Sequence, residues 1–146
     1  MVIICFLSSG FFSPLFRDTC RKPRQGLHCW LVNIDDLSAR LRAFACERDW
    51  EQFHAPKNLA MALAVEAAEL MEHFQWLTEQ QSAALSPAAK EQVAAELADV
   101  FIYTLRLADR LGVDLEPAVE AKIRVNAAKY PVEKSRGSAK KYSQLE

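Results

Sequence analysis

Residues 58–76 read NLAMALAVEAAELMEHFQW. Leu59, Leu63, Leu70 and Leu77 recur at helical spacing, which predicts a helix continuing to about Thr78. Glu66 falls on that apolar stripe, and Glu69 lies one turn further, among Ala62, Val65 and Trp76. A carboxylate on a buried face is costly unless something neutralises it. The reading of the whole chain turns on what does so.

The flanking sequence is helical too. In NIDDLSARLRAFACERDW (33–50), Asn33 or Asp35 is a candidate N-cap, followed by Leu37, Leu41, Phe44 and Ala45 at helical intervals. QFHAPKN (52–58) is a connector, with Pro56 suited to the first turn of the next helix. TEQQSAALSP (78–87) is expected as a loop, and Ser86-Pro87 is a cap and first-turn signal. A third helix then aligns Val93, Leu97, Val100, Thr104, Leu107 and Leu111, until Gly112 stops it in the left-handed region. Asp114 caps a fourth, with Leu115, Val119, Ile123 and Tyr130 before Pro131. No strand pattern or internal repeat emerges. The expected class is all-α, a four-helix bundle over residues 33–130, followed by a basic flexible C-terminal tail at 131–146.

Composition narrows the function classes. A chain of 146 residues with 51% hydrophobic and 25% charged residues suits one globular domain. The net charge is -1, and no broad basic face favours DNA or RNA. Cys5, Cys20, Cys29 and Cys46 have neither CxxC spacing nor histidine partners, as expected of free thiols in a reducing, cytoplasmic compartment. Val2–Phe16 is apolar but interrupted by Ser, Gly and Pro and too short to span a membrane, and its basic cluster follows the apolar run, unlike a secretory signal. Residues 1–32 are expected to be a non-native or poorly ordered N-terminal extension, with a weak peripheral anchor as the other reading.

The chemistry lies in Glu66-x-x-Glu69 and Glu96-x-x-Asp99. Residues three apart share a helix face with Cβ atoms about 5–6 Å apart, so each pair is a two-carboxylate clamp. Two unit charges at about 4 Å repel by roughly 4 kcal/mol at an effective dielectric of 20, so four ionised carboxylates around one volume need cations. An all-oxygen set favours a hard ion, Mg²⁺ or alternatively Mn²⁺, which commonly bridges to phosphate. Taken singly, an ExxE is common on solvated helix faces, and Glu72, Glu79, Glu91 and Glu116 are read that way. A di-iron carboxylate centre would need Glu-x-x-His on two helices, whereas His73 follows Glu69 by four residues. Trp76 and Tyr103 follow Glu69 and Asp99 at same-face intervals, as a wall for a nucleotide base or as plain core. On the fourth helix, Lys122, Asn126 and Lys129 form a polar line. Asn126 lies close to the Val119–Ile123 stripe, where phosphate or metal-bound water would satisfy it.

ERDWEQFHAPKNLAMALAVEAAELMEHFQW (47–76), ELADVFIY (96–103) and KIRVNAAKYP (122–131) together resemble the MazG-like all-α nucleoside triphosphate pyrophosphohydrolases, and within them the dCTP pyrophosphatase branch. The resemblance implies Mg²⁺-dependent hydrolysis between the α- and β-phosphates and assembly as a homodimer or homotetramer. By position it implies metal ligation by Glu66, Glu69, Glu96 and Asp99, and enclosure of base and sugar by Trp50, Glu51, Gln52, Phe53 and His54 with Trp76 and Tyr103. Lys122 and Asn126 match positions facing the phosphates. Glu66, deepest in the apolar stripe, is the candidate catalytic carboxylate that orients or deprotonates water. The branch has a substrate-contacting histidine on its first helix where this chain has Leu41, which leaves the base open. Two rival readings are a related pyrophosphohydrolase for dUTP or phosphoribosyl-ATP, and a non-enzymatic helical interaction protein.

Overall fold

The computed structural model describes residues 33–145; the N-terminal extension expected at 1–32 lies outside them. The described residues form α1 (Ile34–Cys46), a 3₁₀ turn (Glu51–Phe53), α2 (Pro56–Glu72), α3 (Glu79–Ser82), α4 (Pro87–Leu111), α5 (Leu115–Lys129), α6 (Val132–Ser135) and a second 3₁₀ turn (Tyr142–Gln144). No strand occurs among them.

Local chemistry accounts for the boundaries. The Asn33 side chain accepts from the Asp36 amide at 3.0 Å and starts α1. Pro56 opens α2 and Ser86-Pro87 opens α4, Ser86 accepting from the Ala89 amide. Gly112 at φ +64 closes α4 in the left-handed region, and Asp114 caps α5 by accepting from the Glu116 amide. α2 ends at Glu72, earlier than its periodicity suggests. Phe74 and Gln75 both donate to the Met71 carbonyl, so the chain tightens into turns there. Thr78 and Gln81 then form a reciprocal capping box that nucleates α3 inside the expected loop. The segment after Pro131, expected as a tail without periodicity, holds α6 and the second 3₁₀ turn, where Tyr142 meets Tyr130 edge-on at 6.0 Å.

α2 packs most extensively on α4, and α1 also packs on α4. The start of α2 lies near Arg106, whereas Glu66 lies near Glu96 and Asp99, so α2 and α4 run antiparallel. Leu59, Val93, Leu105, Ala45 and Ala108 form the buried apolar core. The α4 stripe read from sequence is only partly the buried one: Leu97 and Leu111 are exposed, because α4 is apolar on more than one side. α5 has no comparably extensive packing and no buried residue; Val119 and Ile123 are more than half exposed. Within one chain, then, α1 and α2 pack on α4 far more extensively than α5 packs on any helix.

Candidate functional site

Glu66 on α2 and Glu96 and Asp99 on α4 each offer a carboxylate oxygen lying within 4.8 Å of the other two. Glu66 is only 6% exposed. Its carboxyl is pushed up to about 7, first by burial and then by the charges of Asp99, Glu69 and Glu96. Asp99 is raised as well, by burial and by Glu69, and the half-buried Tyr103 hydroxyl is raised by burial, Glu66 and Asp99. Glu69 thus stands close enough to charge both Glu66 and Asp99 but falls outside the three-way convergence. Burial and mutual repulsion both favour the protonated acids, and the oxygen-only donor set fits a hard divalent ion.

Glu96, Asp99, Tyr103 and Arg106 recur at intervals of three and four on one face of α4. Arg106, which sequence reading passed over, is 3% exposed and is the centre of a second cluster. Its Nη2 donates to Glu51 at 2.8 Å and meets His54 Nδ1 at 3.2 Å, while Nη1 donates to Asp109 at 3.0 Å. Arg42 pairs with Asp109 at 2.6 Å and Arg110 with Glu51 at 2.8 Å. The Arg106 Nε alone is buried without a hydrogen-bond partner among the described residues. A cleft of about 510 Å³ lies against this network, lined by Arg42, Ala43, Cys46, Glu51, Asp109 and Arg110, and does not include the carboxylate cluster. Glu51 and His54 have one Glu-x-x-His spacing, which the case against a di-iron centre missed, but both turn to Arg106 and stand apart from the Glu66 convergence.

The 50–54 segment is fixed from several sides. Trp50 packs edge-on against Phe44 at 5.6 Å, and Arg48 lies over the Phe44 ring. Gln52 donates to Asp49, and Asn58 donates to the Phe53 carbonyl at 3.0 Å. Phe53 itself is exposed. The remaining expected contacts are not brought together within one chain. Trp76 is 86% exposed, because α2 ends before it and the same-face spacing from Glu69 is lost. Lys122 and Asn126 are exposed on α5, contrary to the near-buried place expected for Asn126, because no other helix covers α5 extensively. An arginine two turns beyond Asp99 at same-face spacing was the available signal for the second cluster; two of its three partners, Glu51 and His54, lie more than fifty residues away in sequence.

Among the described residues, three carboxylates from two antiparallel helices converge in an arrangement whose oxygen-only donors could hold a hard cation. Residues 61–145 match the MazG-like family, and the chain belongs to that family. It is 46% identical over 114 residues to dCTP pyrophosphatase 1 of Bos taurus, covering 77% of this chain and 68% of that one. It is 47% identical to dCTP pyrophosphatase 1 of Mus musculus, over 77% of this chain and 67% of that one. The crystal structure of a pyrophosphatase from Archaeoglobus fulgidus DSM 4304 superposes with a TM-score of 0.65 at 37% identity, covering 72% of this chain and 98% of that one. Among the described residues no helix is long and apolar enough to cross a membrane.

Proposed function

We propose that the chain is a Mg²⁺-dependent nucleoside triphosphate pyrophosphohydrolase acting on dCTP or a related deoxynucleotide in the cytoplasm, where it would sanitise the nucleotide pool. The observation that carries this is the convergence of Glu66, Glu96 and Asp99, with Glu66 buried and its carboxyl raised to about 7. In the reaction, water adds to the α-phosphorus, the bond from that phosphorus to the bridging oxygen breaks, and pyrophosphate leaves with that oxygen. Glu66, Glu69, Glu96 and Asp99 would hold the metal. Bound there, Mg²⁺ supplies charge neutralisation for the phosphates and acidifies water. Glu66 orients the attacking water and accepts its proton, a role suited to the most buried carboxylate of the cluster. Trp50, Glu51, Gln52, Phe53 and His54, with Tyr103, border the nucleoside.

The bundle is completed, on this reading, by a second copy of the chain. An isolated helix of 15 residues is marginal in water, so the exposed Val119 and Ile123 of α5 and Leu97 and Phe101 of α4 call for a covering surface. A homodimer or homotetramer would bring Lys122, Asn126 and Trp76 toward a carboxylate cluster. Light scattering on the purified chain checks this, and a strict monomer would remove these three residues from the site.

The test of activity is pyrophosphate release from the eight canonical NTPs and dNTPs plus 5-methyl-dCTP and dUTP, with and without Mg²⁺. Mg²⁺-dependent release led by dCTP supports the whole reading. Release led by dUTP keeps the chemistry and makes Leu41 and Phe53 the positions to substitute. No release from any nucleotide contradicts it and favours an interaction protein.

A further inference from the structure

Arg106 belongs to neither the carboxylate cluster nor the set of residues assigned to the nucleotide, yet it is among the most buried of the described side chains. A guanidinium has donors and no acceptor. Its 3.2 Å approach to His54 Nδ1 therefore requires a lone pair on that nitrogen, which leaves the imidazole proton on Nε2. Glu51, from the same turn as His54, is held by Arg106 on one oxygen and Arg110 on the other, so two α4 cations grip the turn at two residues. Asp109 fixes Arg106 in turn, and Arg42 of α1 fixes Asp109. His54 Nε2 has no hydrogen-bond partner among the described residues. The groups charging the ring are Arg106 and Arg110, which with burial lower its pKa, and Glu51, which opposes them. Arg106 stands seven residues beyond Asp99 on the same helix face, about 10 Å along the axis. That separation is comparable to the reach from the phosphates of a nucleotide to its base.

We propose that Arg106 is a positioning residue for the nucleotide pocket. It sets the tautomer of His54 and clamps the Trp50–His54 segment to α4, so that His54 presents a fixed Nε2–H donor to an acceptor atom of the nucleoside. This rests on the function proposed above and deepens it: the pocket selects for an acceptor on the base or sugar at that point.

The experiment combines ring ¹⁵N spectra of His54 with steady-state hydrolysis of dCTP in Mg²⁺, for wild type, Arg106→Gln, Arg106→Lys, His54→Ala and the double variant H54A/R106Q. The wild-type ring is expected neutral with its proton on Nε2, and mixed between tautomers in R106Q. KM for dCTP should rise about tenfold in R106Q and in H54A, with kcat changed by less than about threefold, as for loss of one binding hydrogen bond. The double variant should be no worse than either single one, because both remove the same interaction. R106K keeps the charge but not the fork that reaches three partners, and should fall between wild type and R106Q. An Nδ1–H ring in wild type overturns the proposal even if no variant folds. So does a folded R106Q with unchanged tautomer and KM, or additive losses in the double variant. A wild-type chain that hydrolyses no nucleotide removes the proposed function and the pocket role together, whereas an active wild type with an unchanged R106Q overturns the role of Arg106 alone.

Discussion

Two charge clusters occupy successive stretches of one face of α4, and they are assembled on opposite rules. Around Arg106 every charge meets its opposite: Arg42 meets Asp109, Arg106 meets Asp109 and Glu51, and Arg110 meets Glu51. Around Glu66 every neighbouring charge has the same sign, and the carboxyls respond by holding their protons more tightly. The first cluster is complete within the chain and ties α1 and the turn before α2 to α4. The second, on the proposed function, is completed by a bound cation. A set of like charges retained at the cost of repulsion is the arrangement expected of a binding site, whereas a compensated set is expected of a brace.

The comparison breaks most sharply under substitution of the carboxylates. Glu66→Gln or Glu69→Ala should lower Mg²⁺-dependent pyrophosphate release by at least about 100-fold, consistent with loss of a proton acceptor or metal ligand. Either variant should remain folded by circular dichroism. Removing Arg106 has the inverse signature. Arg106→Ala empties a buried, three-partnered position but leaves Glu51 with Arg110 and Asp109 with Arg42, and should destabilise the fold by about 2–3 kcal/mol in urea titrations.

The sign of pH dependence separates the clusters further. Glu66 is raised in the folded state from an ordinary value of 4.5 to about 7, so between those values the folded chain binds more protons than the unfolded one. Stability of the metal-free protein should therefore fall as pH rises from 5 to 8, by on the order of 2 kcal/mol, with Asp99 adding in the same direction. Glu66→Gln should flatten most of that slope in thermal melts. His54 acts oppositely. Its lowered pKa adds stability above its unfolded value of 6.5, and that contribution is lost as pH falls through the lowered folded one. The smallest effect is expected at Arg42, half exposed at the rim, where Arg42→Ala should cost less than about 1 kcal/mol despite its short ion pair.

The parts of the molecule legible in the sequence are those fixed by near neighbours along the chain. Asn33, Pro56, Ser86-Pro87, Gly112 and Asp114 punctuate the long helices where local rules place them. The carboxylates could be found because a spacing of three on two helices sets both pairs on defined faces, and Glu66 interrupts an apolar stripe. The Thr78–Gln81 capping box was a local signal overlooked, and it explains why Trp76 escapes the helix that seemed to hold it. The Arg106 network was not legible in that way, since Arg106 sits in the run YTLRLADRLG and meets Glu51 only through packing of distant elements. Nor could periodicity reveal which apolar side of α4 is covered within the chain and which is left exposed.

The most direct test of the contrast is the thermal shift produced by Mg²⁺ at pH 8 in wild type, Glu66→Gln and Arg106→Lys. The account predicts that Mg²⁺ stabilises wild type and R106K, with about 2.7 kcal/mol gained at a hundredfold excess over Kd, and leaves E66Q nearly unmoved. Equal stabilisation of all three, or of none, would contradict the assignment of Glu66, Glu96 and Asp99 as the cation site.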